Sequence, residues 1–111
     1  MKPDVFELGF LFDSYGAMLT EKQQICFDLH YNQDLSLSEI ASELGISRQG
    51  VHDTLARTES ALYTMESQLG CVRQAQRLRE AASLLNALAD EISDPDAATR
   101  IRNAVRLIEK E

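Results

Sequence analysis

The chain has 111 residues with a net charge of −7, 44% hydrophobic residues, five glycines, two prolines and no tryptophan. That length suits one domain with an appendage, buries a core without disulfide or metal staples, and with so few breakers points to an all-α fold. The charge is unevenly placed. Residues 1–70 hold four basic and eleven acidic side chains, a net −7, whereas residues 71–111 hold seven of each. An acidic surface repels phosphate and lacks the term that drives most non-specific nucleic-acid affinity.

The N-terminal stretch MKPDVFELGFLFDSYG is interrupted by Asp4, Glu7 and Asp13 and has no basic leader, so it does not read as a signal peptide. No apolar run reaches the length of a membrane span, which predicts no membrane association and a cytoplasmic location. Val5, Leu8, Leu11 and Phe12 predict a first helix from Val5 to Tyr15, capped by Asp4 and stopped at Gly16. Thr20 opens a second helix through a Thr20/Gln23 capping box, with Cys26, Phe27 and Leu29 facing inward and Asn32-Gln33-Asp34 ending it. Cys26 and Cys71 lack metal-ligand spacing and read as free thiols.

Ser36 and Glu39 form a second capping box, and Leu37, Ile40, Ala41 and Leu44 make the apolar face of a third helix. Gly45 provides a turn that needs a positive φ, and Ser47 caps the fourth helix. The spacing of Leu37, Ala41, Gly45 and Val51 is that of a helix-turn-helix, in which Ala41 is small where the helices cross and Ile46 and Val51 fill the angle between them. The fourth helix runs to Gly70, and Val51, Leu55, Thr58, Leu62, Met65 and Leu69 form a heptad-like stripe along it. So long a stripe is expected to pack on a later helix or on a second copy of the chain.

A fifth helix is expected from Gln74 to Ile92, with Leu78, Ala81, Ala82, Leu85, Leu88, Ala89 and Ile92 on one face. Asp94-Pro95 opens a sixth, carrying Ala98, Ile101, Val105 and Ile108. The organisation is therefore a helix-turn-helix domain over 1–70 with a long recognition helix, followed by a C-terminal helical hairpin over 71–111.

On the fourth helix, Arg48, Gln49 and His52, with Ala56 and Arg57, are expected to face outward. Arginine and glutamine at a helix start suit guanine and adenine edges in a major groove. Ser47, Thr54 and Thr58 are candidates for phosphate contacts. The nucleic-acid-binding set is thus Ser47, Arg48, Gln49, His52 and Arg57, for DNA or RNA. No nucleophile–base pair, glycine-rich phosphate loop or metal-ligand cluster is recognisable, and His30 and His52 lie on different helices. No catalytic residue, metal or cofactor is expected, and the chain does not read as an enzyme.

The stretch LTEKQQICFDLHYNQDLSLSEIASELGISRQGVHDTLARTESAL resembles the fourth region of bacterial sigma factors, which reads promoter DNA. FLFDSYGAMLTEKQ, DLSLSEIA and ISRQGVHDTLARTE together resemble more closely the YlxM family of small bacterial helix-turn-helix proteins, over residues 6–70. That resemblance implies a regulatory role in the signal recognition particle pathway. Two functions follow as expectations. One is a nucleic-acid-binding regulator, acting as a homodimer through the long stripe and the hairpin. The other is an acidic interaction module for the signal recognition particle protein or its RNA complex.

Overall fold

The computed structural model describes residues 4–109, in which six α-helices and two short helical turns account for the regular structure and no strand occurs. The outermost residues of the 1–70 and 71–111 divisions lie outside the described range. The chain divides between Gly70 and Cys71 into two compact units.

In the first unit, α1 spans Val5–Tyr15 and Asp4 caps it, its carboxylate accepting from the amides of Phe6 and Glu7. Leu8, Leu11 and Tyr15 are buried, while Val5 is half exposed. Gly16–Met18 continues as a single 3₁₀ turn. α2 (Glu21–Phe27) begins at the expected Thr20/Gln23 capping box. It then widens into a π-helical turn over Asp28–Asn32, closed by the Gln33 amide donating to the Asp28 carbonyl at 3.1 Å. Asp34 follows at φ 57°, a left-handed conformation that aspartate tolerates better than most residues. α3 (Leu37–Leu44) carries the Ser36/Glu39 capping box and ends at Gly45. α4 (Arg48–Leu69) is 22 residues long and ends where Gly70, at φ 66°, donates its amide to the Glu66 carbonyl.

Val51, Leu55, Thr58 and Leu62 of α4 are buried, and the helix packs against α1, α2 and α3. The far half of the stripe packs on the first helix of its own chain, an upstream partner that differs from the later helix or second copy expected from the sequence. Two hydrogen bonds tie the same contact, from the Tyr15 hydroxyl to Glu66 at 2.7 Å and from the Tyr63 hydroxyl to Glu7 at 3.5 Å. Tyr31 of the π turn likewise donates to Glu59 of α4. The stripe ends before Leu69, which is 57% exposed. Phe12 and Phe27 stack face to face with centroids 4.3 Å apart, and Tyr31 packs on Phe27 at 4.6 Å, locking α1 to α2.

In the second unit, α5 (Cys71–Glu91) starts three residues earlier than periodicity suggests, because the left-handed Gly70 ends one helix and lets the next begin at once. α6 (Pro95–Glu109) begins with proline in its first turn and Asp94 as cap, its carboxylate accepting from the Asp96 amide at 3.0 Å. The two helices pack as an antiparallel hairpin. Ala82 and Ala89 of α5 and Ala98 and Val105 of α6 are buried, and the small side chains permit close approach. An exposed ion pair, Arg102 to Asp90 at 2.6 Å, links them.

Leu62 is fully buried on the contact between α4 and the rest of its unit. Replacing it by aspartate places a carboxylate among apolar groups, and Leu62→Asp is expected to cost about 3 kcal/mol or more. Urea unfolding followed by far-UV circular dichroism checks this; a wild-type midpoint would show that the far half of α4 carries no packing load.

Candidate nucleic-acid interface

The helix-turn-helix is built from α3, the turn at Gly45 and the first half of α4. Cys26, Ile40, Ala41, Val51 and Leu55 form its buried centre, with Leu29, Tyr31, Leu35, Leu37, Leu44 and Ile46 packed around it. Burial pushes the Cys26 thiol up, which suits a small apolar filler rather than a reactive group. Gly45 sits at φ 69°, its amide donates to the Ala41 carbonyl, and the Ile46 amide donates to the same oxygen at 3.1 Å. The chain thus reverses within three residues and starts α4 at Ser47. The Ser47 hydroxyl oxygen accepts from the Gly50 amide at 2.9 Å. A Cβ at Gly50 would lie 3.1 Å from that oxygen, so glycine leaves the cap uncrowded.

All five candidate residues, Ser47, Arg48, Gln49, His52 and Arg57, are exposed, and Ala56 is exposed between them. Gln49, His52, Ala56 and Arg57 project from the side of α4 away from the buried Val51, Leu55 and Thr58, whereas Arg48 stands at the flank of that stripe and Ser47 is the cap. The two threonines are a correction. Thr58 is fully buried and donates to the Thr54 carbonyl at 2.7 Å, and Thr54 donates to the Gly50 carbonyl at 2.8 Å. Both hydroxyls are spent on the helix backbone, as threonine commonly does within helices, and neither is placed for a phosphate.

Sequence reasoning missed the part played by Asp53. It accepts from Gln49 Nε2 at 3.0 Å and lies 3.5 Å from His52 Nδ1. One exposed carboxylate therefore engages two of the three residues best suited to read bases. The spacing of four between Gln49 and Asp53 was the available signal. Asp28 and Glu39 mark the edges of the same domain. Hydrogen bonds from Asn32 and then Gln33 hold the Asp28 carboxyl below its usual range. The Ser36 amide and then its hydroxyl do the same for Glu39.

Among the described residues, no group of three or more side chains is arranged to hold a metal ion, and no helix is long and apolar enough to cross a membrane. A family described as "Putative helix-turn-helix protein, YlxM / p13 like" matches residues 4–104. This chain belongs to that family, UPF0122. The UPF0122 protein of Thermoanaerobacter sp. strain X514 is 39% identical over 114 residues, covering 99% of this chain and 97% of the relative. The UPF0122 protein of Symbiobacterium thermophilum is 44% identical over 104 residues, covering 93% and 95%. One from Bacillus velezensis is 34% identical over 102 residues, covering 92% and 93%. The UPF0122 match extends past Gly70 through most of the hairpin, further than the motifs in residues 6–70.

Gly45→Ala forces an L side chain into the left-handed region and is expected to cost about 1 kcal/mol or more, although a methyl group there meets nothing within 4 Å. A melting curve checks it; no loss of stability would show that the turn relaxes to another conformation. The two depressed carboxyls give a sign for acid. Their stabilisation is present above the unfolded-state carboxylate range and is lost as pH falls through the lower folded values, from about pH 4 downward. A double variant, Asp28→Asn with Glu39→Gln, retains amide partners and is expected to flatten the acid limb of a stability–pH profile. An unchanged limb would place the acid sensitivity elsewhere.

Proposed function

We propose that this UPF0122 protein is a regulator that binds nucleic acid through the start of α4. The observation that carries the reading is the exposure of Arg48, Gln49 and His52 in the first turns of a capped helix directly after a glycine turn, with Arg57 exposed further along the same helix. Arg48 supplies a bidentate donor fork for guanine or phosphate, Gln49 an amide for adenine, and Arg57, about two and a half turns further on and so on the other side of the helix from Arg48, a phosphate contact at the groove's opposite wall. Ser47 keeps its hydroxyl hydrogen available while its oxygen caps the helix. Engagement requires Gln49 and His52 to leave Asp53, which makes that carboxylate a selector against weak ligands. With two arginines along the exposed part of α4, phosphate neutralisation is small and the salt dependence shallow. The resemblance to YlxM proteins supports the signal recognition particle pathway as the setting.

A second reading has its own observation. Phe6 is 82% exposed and Phe10 49%, on an α1 that also carries Glu7 and Asp13. Aromatic side chains among carboxylates on a domain of net −7 suit a basic amphipathic partner, and the signal recognition particle protein, alone or with its RNA, is the candidate that the YlxM resemblance supplies.

Fluorescence anisotropy at low salt, with duplex DNA fragments and structured RNA as probes, tests the first reading. Arg48→Glu is expected to abolish binding with unchanged helical content, and Asp53→Asn to tighten it about threefold to tenfold by removing a like charge from phosphate. Binding that survives Arg48→Glu would remove α4 as the reading element. Co-elution with the signal recognition particle protein that is lost in a Phe6→Ala, Phe10→Ala variant, with no nucleic-acid binding, would replace the first reading by the second.

A further inference from the structure

The hairpin leaves one side of α5 only partly covered. Leu78, Ala81, Leu85, Leu88 and Ile92 recur at intervals of three and four, the spacing of a coiled-coil seam, and Leu84 stands beside them. Leu78 is 42%, Leu84 68%, Leu88 52% and Ile92 37% exposed, Ala81 is exposed and Leu85 half-buried, whereas the neighbouring Ala82 and Ala89 are buried within the hairpin. A leucine seam of this kind on one helix marks an interface.

The charges on α5 say what covers it. The helix has no acidic residue in its first turn and no basic residue in its last. Its arginines, Arg73, Arg77 and Arg79, lie toward the N-terminus, and Asp90 and Glu91 close the C-terminus. That order is opposed to the helix's own dipole, which favours carboxylates at the start and cations at the end. Asp90 is engaged by Arg102 of α6. Arg77 and Glu91 are exposed, stand two heptads apart, and flank the seam on the same side as Leu84.

We propose that this face binds the same face of a second copy of the chain, antiparallel, about a twofold axis near Leu84. Reversing the second helix sets Leu84 beside its counterpart and each Arg77 beside the other chain's Glu91, so two ion pairs bracket the leucine seam. It also sets the acidic end of each helix against the basic end of the other, and this offsets the unfavourable order of charge within each. A parallel pair would hold Arg77 and Glu91 of the two copies far apart along the seam and form neither ion pair. The proposal is independent of what α4 binds.

Sedimentation equilibrium of the full chain across the micromolar range tests it. The expected result is a concentration-dependent species of twice 12.4 kDa. Leu84→Asp with Leu88→Asp, both on the exposed face, is expected to give the monomer mass with wild-type helicity. Arg77→Glu is expected to weaken association about tenfold by turning two attractions into repulsions, and adding Glu91→Arg to restore it. A wild-type monomer at every concentration, or a dimer indifferent to the leucine pair, overturns the proposal. A double charge swap no tighter than Arg77→Glu overturns the antiparallel register. Anisotropy on the leucine variant separates this outcome from nucleic-acid binding, because loss of the dimer need not remove the Arg48 contact.

Discussion

The first unit depends on one buried stripe. Val51, Leu55, Thr58 and Leu62 run along α4, and every other helix of the unit packs on that helix. The near half of the stripe closes the helix-turn-helix against α3 and α2. The far half holds α1, which has no helix-turn-helix role of its own. Because one helix spans both halves, the presentation of Arg48 and Gln49 at its start is coupled to the packing of α1 near its end. Thr58 shows how the stripe continues through a polar residue: its hydroxyl bonds within the helix and leaves only its methyl to the neighbours.

Tyrosine hydroxyls partner three of the acidic side chains of this unit. Glu59, Glu66 and Glu7 each accept from a tyrosine, from Tyr31, Tyr15 and Tyr63 respectively. Burial and then the Glu59 contact raise Tyr31, so it stays a donor across the working pH range. For Tyr63, burial and then Glu7 act in the same direction. A neutral donor satisfies a carboxylate without adding positive charge. The consequence falls on the outward face of α4. A nucleic acid approaching Arg48 meets a domain whose field opposes it, and affinity must come from short-range complementarity instead of steering.

The local grammar of the chain was legible in the sequence. Asp4, Thr20, Ser36, Ser47 and Asp94 all stand as caps, and Gly45 takes the positive φ its turn demands, because each of these depends on neighbours within four residues. The exposure of the five candidate binding residues was legible for the same reason, from helical phase. What failed was partner choice. A heptad-like stripe states that a helix buries one side and is silent on what covers it, and α1 lies some fifty residues away in sequence, as the Tyr15–Glu66 bond spans. Residue type also misled where competition was local: Thr54 and Thr58 look like phosphate donors until the helix backbone claims their hydroxyls. The π turn after α2 left no signal that periodicity detects, since it arises from one extra residue per turn.

The two units divide the chemistry of the chain. The first carries all the net charge and the candidate reading face; the second is neutral overall, with its charges sorted by sign along α5. A neutral hairpin with opposed ends is suited to self-recognition in a protein whose other half repels its own copies. Two domains of −7 brought together by their hairpins resist association, but at physiological ionic strength charges more than about 8 Å apart are screened. In the proposed dimer the leucine seam acts at shorter range and survives that screening. Added salt therefore reduces the repulsion between the acidic domains while leaving the apolar seam of the proposed dimer unaffected.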